Sequence, residues 1–271
     1  MTAVKFTGIG STSFKRYAAM KILELTQSSL AELFSLIESQ PGGYRHIFRG
    51  QRDADWGLVP GLYRIKNINI AGGTTEQNYN SYEIRGIDRF FNEALPYLPA
   101  VQRGYSNDRI LAQHFGVPTR LLDWSRDPLV ALFFAVEEWQ TENDAAIFMI
   151  LPDAQYRPED VRSIGPHQAI ELIPPAIDRR IPAQKSVFTF HPYGPADKPF
   201  VALDERPDMG NRITSGQEVV RGFAKIIIPQ RLRRHLRHAL LGLGIDRRNL
   251  FPGLDGVGMD IGARAQSGHI Y

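Results

Sequence analysis

The stretch LAQHFGVPTRLLDWSRDPLVALFFA (111–135) decides the architecture. Asp127 stands immediately before Pro128, a capping side chain followed by the residue best suited to a first helical position. LVALFFAVEEW then runs on almost wholly apolar, which reads as a helix buried on most of its sides. Ahead of it, after a Gly-x-Pro turn, His114, Thr119, Arg120, Asp123, Trp124 and Ser125 crowd into twelve residues. Polar side chains bracketed this closely by apolar structure must bond to one another, to backbone or to a ligand. Two readings follow: a satisfied network that stiffens the core, with Arg120 and Asp123 as an ion pair, or the wall of a binding site.

Outward from this block, leucines and isoleucine at 30, 33, 36 and 37 repeat at helical spacing behind a Thr/Ser cap, and Pro41-Gly42-Gly43 ends the run, so residues 26–39 read as an amphipathic helix. YRHIFRG (44–50) reads as a short strand, residues 66–80 as a polar loop, 81–98 as a second helix and 108–115 as a third. AAIFMIL (145–151), SVFTFH (186–191) and FAKIIIP (223–229) are strand candidates, with a Pro/Gly/Asp-rich surface loop at 192–216. Helices and strands intermix without regular strand–helix alternation. The expected fold is therefore α+β: one domain over 23–262 with a central, mostly antiparallel or mixed sheet of short strands and helices packed around it. Residues 1–22 are expected to form a loosely packed lead-in and 263–271 a tail.

The 271 residues are 43% hydrophobic and 23% charged, ordinary proportions for a globular chain, with a formal net charge of +3. With no cysteine, disulfide scaffolds, cysteine nucleophiles and thiolate metal sites are excluded. Phosphate-loop, dinucleotide-fingerprint, zinc-protease and hydrolase-elbow motifs are missing. No window approaches a membrane-spanning length of apolar residues, so a cytoplasmic protein is expected, with no membrane partner and no metal.

A further stretch holds residue types that a core does not need. In IFRGQRDADWGLVPGLYR (47–64), Arg49 and Gln51 flank a glycine that admits a close approach of backbone or ligand, and Trp56 offers a stacking face. An arginine fork there suits a phosphate or carboxylate, or else pairs internally with Asp53, Asp55 or Asp123. From Gln230, Arg231, Arg233, Arg234 and Arg237 surround leucines at helical spacing. This helix presents either a solvated basic surface or a face for nucleic-acid phosphate. In NLFPGLDGVGMDI (249–261), Asp255 and Asp260 either cap a short helix or share a cleft with Arg49.

FRGQ (48–51) with WGLVPGLYR (56–64), HFGVPTRLLDWS (114–125), AQKSVFTFHP (183–192) and LGIDRRNLFPGLDGVGMDI (243–261) together resemble the FRG domain family, called after its Phe-Arg-Gly motif. The chain is also similar, more distantly, to mono-ADP-ribosyltransferases, in which an aromatic-Arg-Gly opens the NAD site. That resemblance implies Arg49 as the dinucleotide grip and Thr119 or Ser125 for a supporting Ser/Thr strand. It also implies a carboxylate that stabilises an oxocarbenium-like transition state. AQKS supplies Gln184 but no carboxylate, and Gln217 and Glu218 are adjacent where the family has alternation, so Glu218 or Asp123 would have to supply the charge. Implied with it are NAD as cofactor, a transferase or NAD glycohydrolase activity of toxin or phage-defence type, and a macromolecular target. The candidate site comprises Arg49, Glu218 and Asp123 as catalytic groups. Phe48, Gly50, Gln51, Trp56, Arg64, His114, Thr119, Arg120, Trp124, Ser125 and Gln184 are its binding groups. A module that binds a nucleotide or phosphate ligand without turnover, and a nucleic-acid-binding protein acting through 231–238, are the competing functions.

Overall fold

The computed structural model describes residues 20–266, except 43–44, 67, 69–74, 99–102, 153, 157–169, 175, 193–199, 207–211, 215–216 and 220–221. Ten strands are described: β1 (Lys21–Glu24), β2 (Ile47–Gln51), β3 (Leu121–Ser125), β4 (Ala145–Ile150), β5 (Ala154–Tyr156), β6 (Ile170–Leu172), β7 (Ser186–Phe190), β8 (Arg212–Thr214), β9 (Gln217–Val219) and β10 (Ala224–Ile228). The helices are α1 (Leu30–Glu38), α2 (Thr75–Ala94), α3 (Tyr105–His114), α4 (Pro128–Val136), α5 (Arg180–Ala183), α6 (Gln230–Gly242), α7 (Arg247–Leu250) and α8 (Leu254–Gln266). Eight strands form one mixed sheet in the order β1-β10-β4-β2-β3-β7-β6-β5, mostly antiparallel, with parallel pairing at β1–β10 and β5–β6. The α+β expectation holds.

The helix that anchors the reading forms as expected: Asp127 accepts from the Leu129 N–H at 2.8 Å and Pro128 opens α4. Its apolar residues, with Leu33 and Ile37 of α1 and Leu232, Leu236 and Leu240 of α6, cover the sheet face that carries Phe48, Ile147, Met149 and Ile226. The opposite face, with Ile47, Phe148, Leu122 and Trp124, is closed by Leu58 and Leu203. All six residues of β4 are buried, as befits a strand near the middle of a covered sheet.

Several elements differ from the sequence reading. Lys21–Glu24 pairs with β10, so the sheet begins inside the stretch assigned to the lead-in. At the other end, α8 continues through Gln266, into the assigned tail. Residues 75–80 are helical, not loop: α2 packs Ile87 and Phe91 against Leu111 and Ala112, and its Glu83, at zero exposure, binds Arg109 and Arg120. The second helix stops at Ala94, followed by a 3-10 turn over Leu95–Tyr97 around Pro96. Within 192–216, Leu203 is fully buried and Asp204 accepts from the Leu58 N–H at 2.7 Å, so that part is packed and not a surface loop. On α6 the basic residues are not uniformly solvated. Arg233 is at zero exposure, its guanidinium donating to Thr141 and to the carbonyls of Asn143, Ala135 and Glu138, and Arg237 is buried too. Arg231 and Arg234 remain exposed, Arg234 lying 5.3 Å from the Trp139 ring centroid. Asp260 is not a cap; it sits buried within α8 and accepts from Arg264 at 2.8 Å.

Candidate functional site

β2 and β3 share a single bridge, Phe48 opposite Ser125. Beyond it the two strands are not paired, and the Arg49 guanidinium donates to the Asp123 carbonyl at 2.8 Å where a ladder N–H would otherwise bond. This split lies along a cleft of about 780 Å³, lined by β2, β3, the 52–59 segment, one side of α4 and the α5 turn.

Gly50 holds the cleft's back wall together. A Cβ there would lie 1.8 Å from the Ala131 carbonyl oxygen, so the glycine is what lets α4 lie directly on β2. The close approach expected at this residue is thus that of a backbone.

Eleven of the fourteen expected site residues line this cleft: Phe48, Arg49, Gly50, Gln51, Trp56, Arg64, His114, Asp123, Trp124, Ser125 and Gln184. Arg49 sits at its base with a side chain 18% exposed; its Nε is buried and without a hydrogen-bond partner among the described residues. Burial, with Arg64 adding like charge, lowers its pKa, and Asp123 acts the other way from 3.9 Å. Gln51 Oε1 and His114 Nε2 are likewise buried and unpartnered. Burial is also the main cause that lowers the pKa of His114, against the pull of Asp123 and Asp178. Buried polar atoms left unpaired cost about 1–3 kcal/mol each, and three of them belong to residues that line this cleft.

Asp123 keeps its carboxylate half-exposed in the cleft. Gln113 donates to it at 2.7 Å, and the Thr119 hydroxyl donates to the other end of that amide, fixing its orientation. Thr119 therefore supports the site from behind. Arg120 is also absent from the lining: it is buried against Glu83, with its backbone N–H and Nε both donating to that carboxylate. The Arg120–Asp123 pair is replaced by a pairing 37 residues distant in sequence, with Glu83 of α2. Ser125 donates to the Gln184 carbonyl at 2.7 Å and accepts from the Asp127 N–H, and Gln184 donates to the Leu250 carbonyl at 2.9 Å. These two polar groups join the cleft's walls to each other. Glu218 lies in the separate two-stranded ribbon β8–β9, opposite Ile213; its side chain lies outside the described residues.

The sequence reading missed Gln113, Arg180, Glu137, Glu138 and Phe251 in this cleft. Glu137 and Glu138 belong to the quoted run LVALFFAVEEW, and two carboxylates ending an apolar helix were the signal available. Glu137 contacts Arg247 of α7, and burial, the dominant cause, still raises its carboxyl pKa. Among the described residues, no group of three or more His, Asp or Glu is placed to hold a metal ion, and no helix is long and apolar enough to cross a membrane.

No curated protein and no solved structure matches the chain. The FRG domain family model matches residues 44–144, which include FRGQ, α4 and the whole 111–135 block but not the blocks at 183–192 and 243–261. The cleft around Arg49 is therefore built chiefly, though not wholly, from the segment over residues 44–144 that matches the FRG domain model.

Proposed function

We propose that the cleft binds a phosphate-bearing nucleotide, with NAD as the leading ligand, and that Arg49 holds its phosphates. The observation that carries this is Arg49, whose buried Nε has no partner among the described residues, in a cleft that Arg64, Arg180 and the 44% exposed Trp56 also line. Guanidinium forks suit phosphate oxygens in number and geometry. Arg52 lies 5.0 Å from the Trp56 ring centroid and orients that ring.

A glycosidic cleavage at NAD needs negative charge beside the nicotinamide ribose. Asp123 is the carboxylate whose position supports that role, since Gln113 fixes it within the Arg49 cleft. The corresponding activity is that of an ADP-ribosyltransferase or NAD glycohydrolase acting as a cytoplasmic effector, of toxin or phage-defence type, on a macromolecular target. The commitment of Ser125 and Gln184 to wall-to-wall bonds favours a second reading, a rigid binding module without turnover.

The test is a thermal-shift panel of NAD, ADP, AMP and inorganic phosphate on wild type and Arg49→Gln, with nicotinamide release measured in parallel. Saturating nucleotide at about 100 times Kd should stabilise wild type by about 2.7 kcal/mol, and Arg49→Gln should lose most of that gain. Stabilisation with nicotinamide release supports the enzyme, and stabilisation alone the binding module. No shift with any compound, or an equal shift in the variant, refutes the reading.

A further inference from the structure

A second cavity, of about 560 Å³, adjoins the cleft and shares Arg180 and Phe251 with it. Its size lies within the roughly 300–1,000 Å³ of small-molecule sites. Arg180 is fixed at the junction. Its guanidinium lies 5.8 Å from the Phe115 ring centroid and 5.9 Å from that of Phe251, and it donates to the His114 carbonyl at 3.0 Å. Its side chain is 27% exposed, with its Nε 4.0 Å from the Asp178 carboxylate.

The two cavities repeat one chemistry. The cleft is lined by Trp56 with Arg49 and Arg64, and the second cavity by Phe115 and Tyr97 with Arg179 and Arg247, the latter paired with Glu137, alongside Asp178 and Asp255. Tyr97 is 86% and Phe115 52% exposed, and Phe90 stacks on Phe115 with ring centroids 5.8 Å apart, so that ring is held in place. Large apolar side chains exposed together around a concavity mark a surface that something covers.

Building on the nucleotide reading above, we infer that the two cavities are halves of one site, and that its ligand carries two ring systems joined through a phosphate bridge that runs from Arg49 to Arg180. Linking two weakly bound halves makes the second binding event intramolecular, so the linked ligand gains affinity over either half.

Calorimetric titration of the full chain with ADP and with diadenosine diphosphate tests this. Wild type should bind the linked compound at least about tenfold more tightly than ADP. Met259→Trp fills the second cavity from a half-exposed position, and Tyr97→Ala removes its stacking face. Both should erase most of the gain while leaving ADP affinity unchanged. Equal affinity of wild type for the two compounds, or variants that weaken ADP as much as the linked compound, overturns the inference and leaves the nucleotide reading standing. Failure of every nucleotide to bind overturns both.

Discussion

Replacing Gly50 by alanine probes the packing on which the cleft depends. The added Cβ would meet the Ala131 carbonyl oxygen at 1.8 Å and the Ala135 nitrogen at 2.8 Å, where ordinary carbon–oxygen contacts begin near about 3.3 Å. The obstacle is the backbone of a helix whose Leu132 and Ala135 are at zero exposure, so relief requires α4 to move off β2 by more than about 1 Å. Overpacking of this kind costs about 1–3 kcal/mol and more where no side chain can yield. Loss of unfolded-state freedom returns only about 0.4–1 kcal/mol. The net expectation is a loss of at least about 2 kcal/mol, read as a lower urea midpoint at unchanged slope. If Gly50→Ala instead keeps wild-type stability within about 0.5 kcal/mol, the helix-seating role is wrong.

Arg233→Met keeps the bulk but strands the carbonyls of Ala135, Glu138 and Asn143 in the interior; a stability loss of about 2–4 kcal/mol is expected by urea denaturation, and a loss below about 0.5 would contradict it. His191 is buried, and burial together with Arg206 and Arg49 holds its pKa well below the ordinary 6.5. The unfolded chain thus takes up a proton near pH 6.5 that the folded protein refuses. Stability is full above that pH and falls below it by up to about 1.4 kcal/mol per unit. His114 shifts in the same direction. Urea midpoints at pH 7.5, 6.5 and 5.5 should therefore decline, less steeply in His191→Gln; a profile of the same slope in the variant would refute the assignment.

Much of the cleft could be read from the chain because its walls come from two contiguous segments, 48–64 and 113–138, whose polar residues interrupt apolar runs. Position within those segments was harder to read. Arg120 and Asp123 are three residues apart, yet one points to Glu83 of α2 and the other into the cleft, because alternation along β3 sends neighbours to opposite faces. The strand itself is short and carries Asp123 and Ser125, which hides its pattern. Arg233 illustrates the same limit on α6: a basic run suggests a solvated face, but carbonyls at the end of α4 give one of its guanidiniums an interior partner set. Arg180 and Phe251 reach the site from remote elements, and nothing in local spacing announces such meetings.

On this reading Arg49 is a ligand-binding cation and not merely a strap between β2 and β3. A crystal structure of the protein soaked with ADP tests it most directly. A phosphate oxygen within about 3 Å of the Arg49 guanidinium and the base beside Trp56 are expected. Nucleotide bound elsewhere, with Arg49 still engaged only by Asp123, would contradict it.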